Sequence, residues 1–449
     1  MRASASIFLS FNLPDAATWF YLTLVLAIAL FFKFGRLLSM RNWDVVTLFL
    51  AIPGFLLLLD ARQTGSNSLQ WCGYLWLMAA SVIYFGRCLV DLTLIARPAL
   101  APNLSLGGLG WLAGALFVGL GAVAARQPSE RPDPDSQAPA PIDKVQRQGR
   151  QLLHQQVPAL GADETTVQLW VGRSLALVCH LMIVSGLIVV GCRHFQDVHA
   201  GMAAATFYLL LPYVYLLMPG TALHLGRWYH LLPMALLVWA VVFYRWPMLA
   251  GLFVGLSVGS VYFPVFLAPL WASFYRGRGA GRFSTVLVLT AAGCLSLTAL
   301  VLWLDGDLAQ SWQHAWDLTD WQPWKDPVAE GLWTRLPWAM AYRLPVFILY
   351  LAFVLTTAFW PSPKNLAHLL ALSAAILIGV QFWYADKGGA YVLWYLPFLL
   401  LLVFRPNLSD RAPPPIVPEQ DRLLRLGQAV ARWVRSWVRL PEPLVRLRG

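Results

Sequence analysis

The chain has 449 residues, of which 58% are hydrophobic and only 12% charged, where a soluble domain carries about 25% charge. That balance excludes an ordinary soluble enzyme and predicts an all-α, polytopic transmembrane helix bundle with membrane lipids as its first partners. The net charge of +11 does not indicate nucleic acid, because the basic residues stand at the ends of apolar runs and in a C-terminal tail, where topology and anionic lipid account for them.

A crossing takes roughly 20 apolar residues to span ~30 Å of hydrocarbon. Spans are expected at 16–37, 43–60, 70–96, 105–125, 168–192, 200–218, 228–245, 283–304, 342–360, 365–384 and 388–405. The N-terminus lacks a basic region followed by a small-residue cleavage site, so the first apolar segment is expected to stay as a span. The first four spans make an N-terminal block, 1–125. In the third, Arg87 and Asp91 stand four residues apart, share a helix face and can pair. They lie near the span end, which points to a structural pair. The five cysteines sit in or beside apolar runs with no CxxC or Cys/His grouping and read as small core residues. His180, inside the fifth span, reads as a hydrogen-bonded bundle histidine.

Residues 126–167 form an external Pro-rich loop. Its first part, QPSERPDPDSQAPAPI, has linker composition. It carries Asp133 and Asp135 among other carboxylates. Segment 247–275 is unlike its neighbours. It holds Gly251, Gly255, Gly259, Pro264 and Pro269, and both of its ends are basic: Arg245 before it, then Arg276, Arg278 and Arg282. A straight helix would put those arginines on opposite sides. A hairpin broken near Tyr262–Pro264 keeps them together, and broken backbone at membrane depth is tolerated only inside protein or beside a wet cavity.

Loop 305–341 holds six tryptophans, Trp312, Trp316, Trp321, Trp324, Trp333 and Trp338. This pattern suits helices lying in the outer interface. The last part, 406–449, is a basic tail. Within it, 421–440 is an amphipathic helix expected on the cytoplasmic leaflet. The positive-inside rule puts Lys33, Arg36, Arg41, Arg87, Arg97, Arg193, Arg245, Arg276–Arg282, Lys364 and the tail on one side. The N-terminus is then outside and the C-terminus cytoplasmic. The expected protein is a multi-pass protein of the cell (inner) membrane, with about 13 crossings if the hairpin counts as two.

The run 228–283 orders its features distinctively. An apolar helix ends in Tyr244-Arg245-Trp246, and a glycine-spaced helix follows (Ala250, Gly251, Gly255). Then come an aromatic–Pro break (Tyr262, Phe263, Pro264) and an Arg-rich turn. With the upstream TFYLLLPYVYLLMPG and the later YVLWYLPFLLLLVFRP, this resembles the GT-C superfamily of polytopic membrane glycosyltransferases, especially its polyprenyl-phosphate-dependent mannosyltransferase-like branch, over about 165–405. The resemblance implies a GT-C-like module at 168–405. It also implies transfer of a hexose from a polyprenyl-phosphate donor to an envelope lipid, glycan or protein on the non-cytoplasmic face. It implies a carboxylate in an early external loop as base or acceptor-positioning group, a role that here falls to Asp133 or Asp135. The family often has aromatics near that carboxylate, and this loop holds no tyrosine; the lysine often found before the aromatic–Pro break is absent, the chain reading Ser260-Val261-Tyr262.

The residues themselves add candidates. Asp305 and Asp307 form an Asp-x-Asp pair after an outward span. Such a pair can share a divalent cation, Mg2+ or Mn2+, with a phosphate, contact the acceptor, or simply mark a membrane exit. The outer turn 220–230 offers His224, Arg227 and His230. Arg343 and the pair Lys387 and Tyr391, which follow Asp386, are further candidates for a donor phosphate. Two rivals use the same features: a transporter or lipid-moving protein built on the broken hairpin, which needs midplane polar residues this chain has few of, and a non-catalytic assembly protein of the same fold.

Overall fold

With no water to satisfy exposed backbone, a lipid-embedded chain closes its hydrogen bonds within helices. In the computed structural model every regular element among the described residues is helical. Those residues are 15–94, 100–126, 164–217, 225–304, 322–324, 330–336, 338–408 and 410–414. The helices are α1 Ala16–Phe31, α2 Met40–Thr47, α3 Ile52–Thr64, α4 Asn67–Asp91, α5 Leu106–Arg126, α6 Glu164–Val190, α7 Val198–Leu210, α8 Tyr213–Leu216, α9 Trp228–Val242, α10 Pro247–Ser260, α11 Ala268–Phe274, α12 Ala280–Leu304, α13 Ala339–Phe359, α14 Leu366–Trp383 and α15 Leu396–Phe404. Seven helical runs among the described residues are long and apolar enough to cross a membrane, and α2 with α3 counts as one of them. The amphipathic tail lies outside the described residues, as does most of the Pro-rich loop.

Several expected spans are shorter than their apolar runs or broken, for local reasons. Helix α1 ends at Phe31, and buried Asn42 organises the turn that follows. Its side-chain amide donates to the carbonyls of Lys33, Arg36 and Leu37, and its oxygen accepts from the Lys33 amide at 2.9 Å. Between α2 and α3 the helix is interrupted ahead of Pro53, which has no N–H to give. Buried tyrosines take over the freed backbone groups: Tyr213 donates to the Leu48 carbonyl at 2.7 Å, and the Ala51 amide donates to Tyr84 at 3.3 Å. Pro212 separates α7 from α8 in the same way.

Segment 247–275 folds back on itself. Helix α10 ends at Ser260, a 3-10 turn covers Phe263–Leu267, and α11 returns. Tyr275, just past α11, donates to the carbonyl of Tyr244, just past α9, at 2.6 Å. Along α10, Gly251, Gly255 and Gly259 face α12. A Cβ on Gly251 would stand 2.5 Å from the Phe283 carbonyl oxygen, and one on Gly255 would stand 2.8 Å from that of Leu287. Small residues four apart allow this backbone-to-backbone packing.

The helix ends sort into two groups. Asn103 reaches Leu30, His199 reaches Leu104, His194 reaches Val242, Arg278 reaches Pro413 and the Leu366 amide reaches Arg411. These contacts gather the basic helix ends at one end of the bundle. There Arg87 holds Asp44 through two nitrogens, at 2.7 and 3.2 Å, and Asp91 at 3.1 Å. Arg405 holds the other oxygen of Asp91 at 2.8 Å. The expected Arg87–Asp91 pair is thus half of a buried four-membered network joining α2, α4 and the end of α15. Deeper in the bundle, His180 pairs with the Tyr208 hydroxyl at 2.8 Å.

Candidate functional site

The opposite end of the bundle carries the polar groups of interest, on the start of α9 and the connection between α14 and α15. Residues 384–395, part of an expected span, are largely non-helical: Lys387 and Gly389 take left-handed backbone, with φ of 47° and 86°. Gln381, on the last turn of α14, organises the bend. Its side-chain oxygen accepts from the amides of Gly389 and Tyr391 at 3.1 and 3.3 Å. Gly389 lies against the backbone of Leu77 and Met78 on α4. A single backbone hydrogen bond from the Lys387 amide to the Glu330 carbonyl, at 2.6 Å, ties this loop to the segment around Glu330. Glu330 meets Arg62 at 3.0 Å, and Arg335 donates to Asn67 and Gln70. The loop is therefore anchored on α3 and α4 of the N-terminal block.

Within that frame, Tyr391 donates its hydroxyl to Asp386 Oδ2 at 2.7 Å. Its ring stacks on Trp394, 4.1 Å between centroids, and Trp394 stacks on Phe263 at 3.9 Å. The hairpin elbow is thereby coupled to the loop, with Tyr384 6.4 Å from Tyr262. His230, in the first turn of α9, lies 5.2 Å from Tyr391 and 6.1 Å from Trp394 by ring centroids. Its Nδ1 is sealed from solvent and has no hydrogen-bond partner among the described residues. Arg227 donates to the Tyr229 hydroxyl at 2.9 Å and lies over that ring. The positive charges of Arg227 and Lys387 both act on the His230 ring.

Burial pushes the Asp386 carboxyl above its ordinary value of 3.8. Lys387 and the Tyr391 hydrogen bond pull it back down, and the Glu330 charge adds to the rise. Tyr391 is the donor in this contact. Arg343 is 1% exposed, and its Nε donates to the Trp383 carbonyl at 3.1 Å. It satisfies a free carbonyl at the end of α14, as cations near helix C-termini do. Trp333 is likewise buried and donates to the Phe382 carbonyl at 3.2 Å rather than lying as an interfacial anchor.

Of the residues singled out in the sequence, Arg227, His230, Lys387 and Tyr391 come together, while Arg343, on α13, holds the last carbonyl of α14. Asp133, Asp135, His224, Asp305 and Asp307 lie outside the described residues. Among the described residues no three His, Cys, Asp or Glu side chains group as metal ligands. Sequence reasoning passed over Asp386 as a site residue, along with Glu330 and Arg62. The available signal was that Asp386 and Lys387 are the only charges between two apolar runs, directly before Gly388-Gly389.

The flank beside this cluster is apolar and open. Helix α11 lies between α12 and α13, and Phe266 of the elbow meets Tyr350 of α13 at 5.1 Å. Val265 on the elbow, Leu297 and Trp303 on α12, and Ile348 on α13 are all exposed. The cluster can therefore present cations, one carboxylate and aromatic faces to a ligand whose tail runs along an apolar surface. No family model matches the chain, and neither a curated protein nor a solved structure is similar to it.

Proposed function

We propose that the chain is a GT-C-type membrane glycosyltransferase that moves a hexose from a polyprenyl-phosphate donor to an envelope lipid, glycan or protein on the non-cytoplasmic face. The observation that carries this reading is the convergence of Arg227, His230, Lys387 and Asp386 at the end of the bundle opposite the basic helix ends. A departing phosphate needs positive charge aimed at it in a site shielded from water. Arg227 and Lys387 supply that charge, and the His230 edge adds a polar contact. The apolar flank along α12, α11 and α13 suits a prenyl chain lying in lipid.

The topology of the reading follows from charge. With the basic ends cytoplasmic, the N-terminus is outside, the chain crosses about 13 times counting the hairpin as two, and the cluster faces outward from the inner membrane. The Asp305–Asp307 pair stays in the proposal as a metal or acceptor contact, as do Asp133 and Asp135 as carboxylates from the early loop.

The test is transfer by the purified protein in lipid nanodiscs, supplied with polyprenyl-phosphate hexoses and candidate acceptor lipids. Glycosylated acceptor is expected, with Lys387→Met weakening donor binding by roughly 10–100-fold for loss of a hydrogen-bonded charge contact. Absence of transfer from every donor, together with unchanged envelope glycans in a deletion strain, would count against the reading.

A further inference from the structure

We propose that Asp386 is the base that takes the proton from the acceptor hydroxyl, so that the carboxylate of this transfer comes from the loop after α14. The inference rests on the glycosyltransferase reading above, but its argument is local. Among the described residues Asp386 Oδ2 is held by Tyr391 at 2.7 Å, while Oδ1 has no partner. The other carboxylate at this end, Glu330, is committed: its side chain pairs with Arg62 at 3.0 Å and its carbonyl takes the Lys387 amide.

The frame around Asp386 is stiff. Gln381 fixes the backbone at Gly389 and Tyr391, and Tyr391 is stacked on Trp394. A base must be held within hydrogen-bond reach of its proton, with a proton affinity raised toward the working pH. Burial moves the Asp386 carboxyl in that direction. The next residue, Lys387, is held in left-handed backbone, and its ammonium has no hydrogen-bond or ion-pair partner among the described residues. The His230 ring, whose Nδ1 has no hydrogen-bond partner among the described residues, lies 5.2 Å from the Tyr391 ring by centroids. Base and cation are thus neighbours in one loop, and the His230 ring lies against the tyrosine that holds the base, the set of groups that a sugar phosphate and an acceptor hydroxyl would require.

The step balances as a single displacement. The acceptor O–H bond breaks and its proton passes to Asp386 Oδ1. The acceptor oxygen forms a bond to the anomeric carbon. The bond from that carbon to the carrier phosphate oxygen breaks, and the electron pair leaves with the polyprenyl phosphate, which Lys387 and Arg227 hold. Asp386 then returns its proton to solvent. One displacement inverts the anomeric centre.

The experiment compares wild type with Asp386→Asn and Asp386→Glu in nanodiscs. It measures polyprenyl-phosphate-hexose binding and single-turnover transfer, from about pH 4 to about pH 9. The Asn variant keeps an acceptor for Tyr391. It is expected to bind donor within about threefold of wild type and to lose transfer by about 100-fold or more, in the range of a lost general base. The Glu variant is expected to recover part of the rate, and the wild-type rate to fall as pH drops into the carboxyl range. Wild-type transfer that Asp386→Asn leaves intact overturns the assignment. So does equal loss of binding and transfer, or a wild-type rate flat toward low pH. A wild type that transfers nothing overturns the glycosyltransferase reading itself, and this assignment with it.

Discussion

Removing the Asp91 carboxylate should be among the most damaging single changes in the protein. Asp91 sits between two arginines, with Arg87 on one oxygen at 3.1 Å and Arg405 on the other at 2.8 Å. The two arginines differ in what they keep. After Asp91→Ala, Arg87 still holds Asp44 through two nitrogens and is partly exposed, with 17% of its side chain accessible. Arg405 is 2% exposed and loses the only carboxylate it meets among the described residues, retaining backbone carbonyls such as that of Leu94 at 3.0 Å. Stripping the partner from a buried charge costs about 3–5 kcal/mol, a large part of the roughly 5–15 kcal/mol that holds a typical protein folded. Asp44→Ala removes two bonds but leaves Arg87 with Asp91 and with water that reaches its partly exposed side chain, so about 1.5–3 kcal/mol is expected there. The pair Asp91→Leu with Arg405→Met should recover most of the loss, because apolar replacement of a buried ion pair is often neutral. Denaturant and thermal unfolding of the detergent-solubilised variants read these differences. The reasoning is refuted if Asp91→Ala costs no more than Asp44→Ala, or if the double variant is as unstable as the sum of its parts.

Gly255→Leu should loosen α10 from α12 and cost about 1–3 kcal/mol or more, since its Cβ would already stand 2.8 Å from the Leu287 carbonyl; Gly293→Ala on α12 meets nothing within 4 Å and should leave thermal stability unchanged or slightly raised. Tyr213→Phe strips the stronger donor from the buried Leu48 carbonyl and should cost about 1–3 kcal/mol, read by the same unfolding assay. Because the Asp386 carboxyl is raised in the folded state, the folded protein binds more protons than the unfolded chain above the ordinary value of 3.8. Its contribution is therefore complete below that value and is lost as pH rises through the folded-state value. Asp386→Asn should flatten this decline in unfolding measured against pH, and a variant whose slope matches wild type would contradict the assignment.

How much of this was legible in sequence depends on how local the cause is. The elbow at 261–267 could be read directly, because its prolines and the basic residues at both ends are neighbours in sequence. The Arg87–Asp91 pair could be read because helix geometry brings residues four apart together. Asp44 and Arg405 could not, since they reach Asp91 and Arg87 only through packing of distant helices. The run Gly388–Tyr395 reads as apolar and is expected from hydropathy to lie in a span. Its backbone instead bends around the Gln381 side chain, a preference that hydropathy does not record. For the same reason hydropathy does not show that a tyrosine five residues on folds back to hold Asp386.

The elbow of α10 and α11 has a consequence for how the protein is made. Helix α10, at 14 residues, spans about 21 Å, short of the ~30 Å hydrocarbon layer, and α11 is half that length. Neither can lodge across the bilayer alone. The residues that cover their junction come much later in the chain: Ser373 for Trp271, Trp383 for Phe266 and Trp394 for Phe263. During synthesis the hairpin must therefore wait, unsatisfied, for more than a hundred residues to follow. Its final seat forms only once α14 and the loop carrying Asp386 have arrived, so a chain truncated ahead of α14 would keep its basic ends anchored and its elbow covered by Tyr350 of α13 but by none of these later residues.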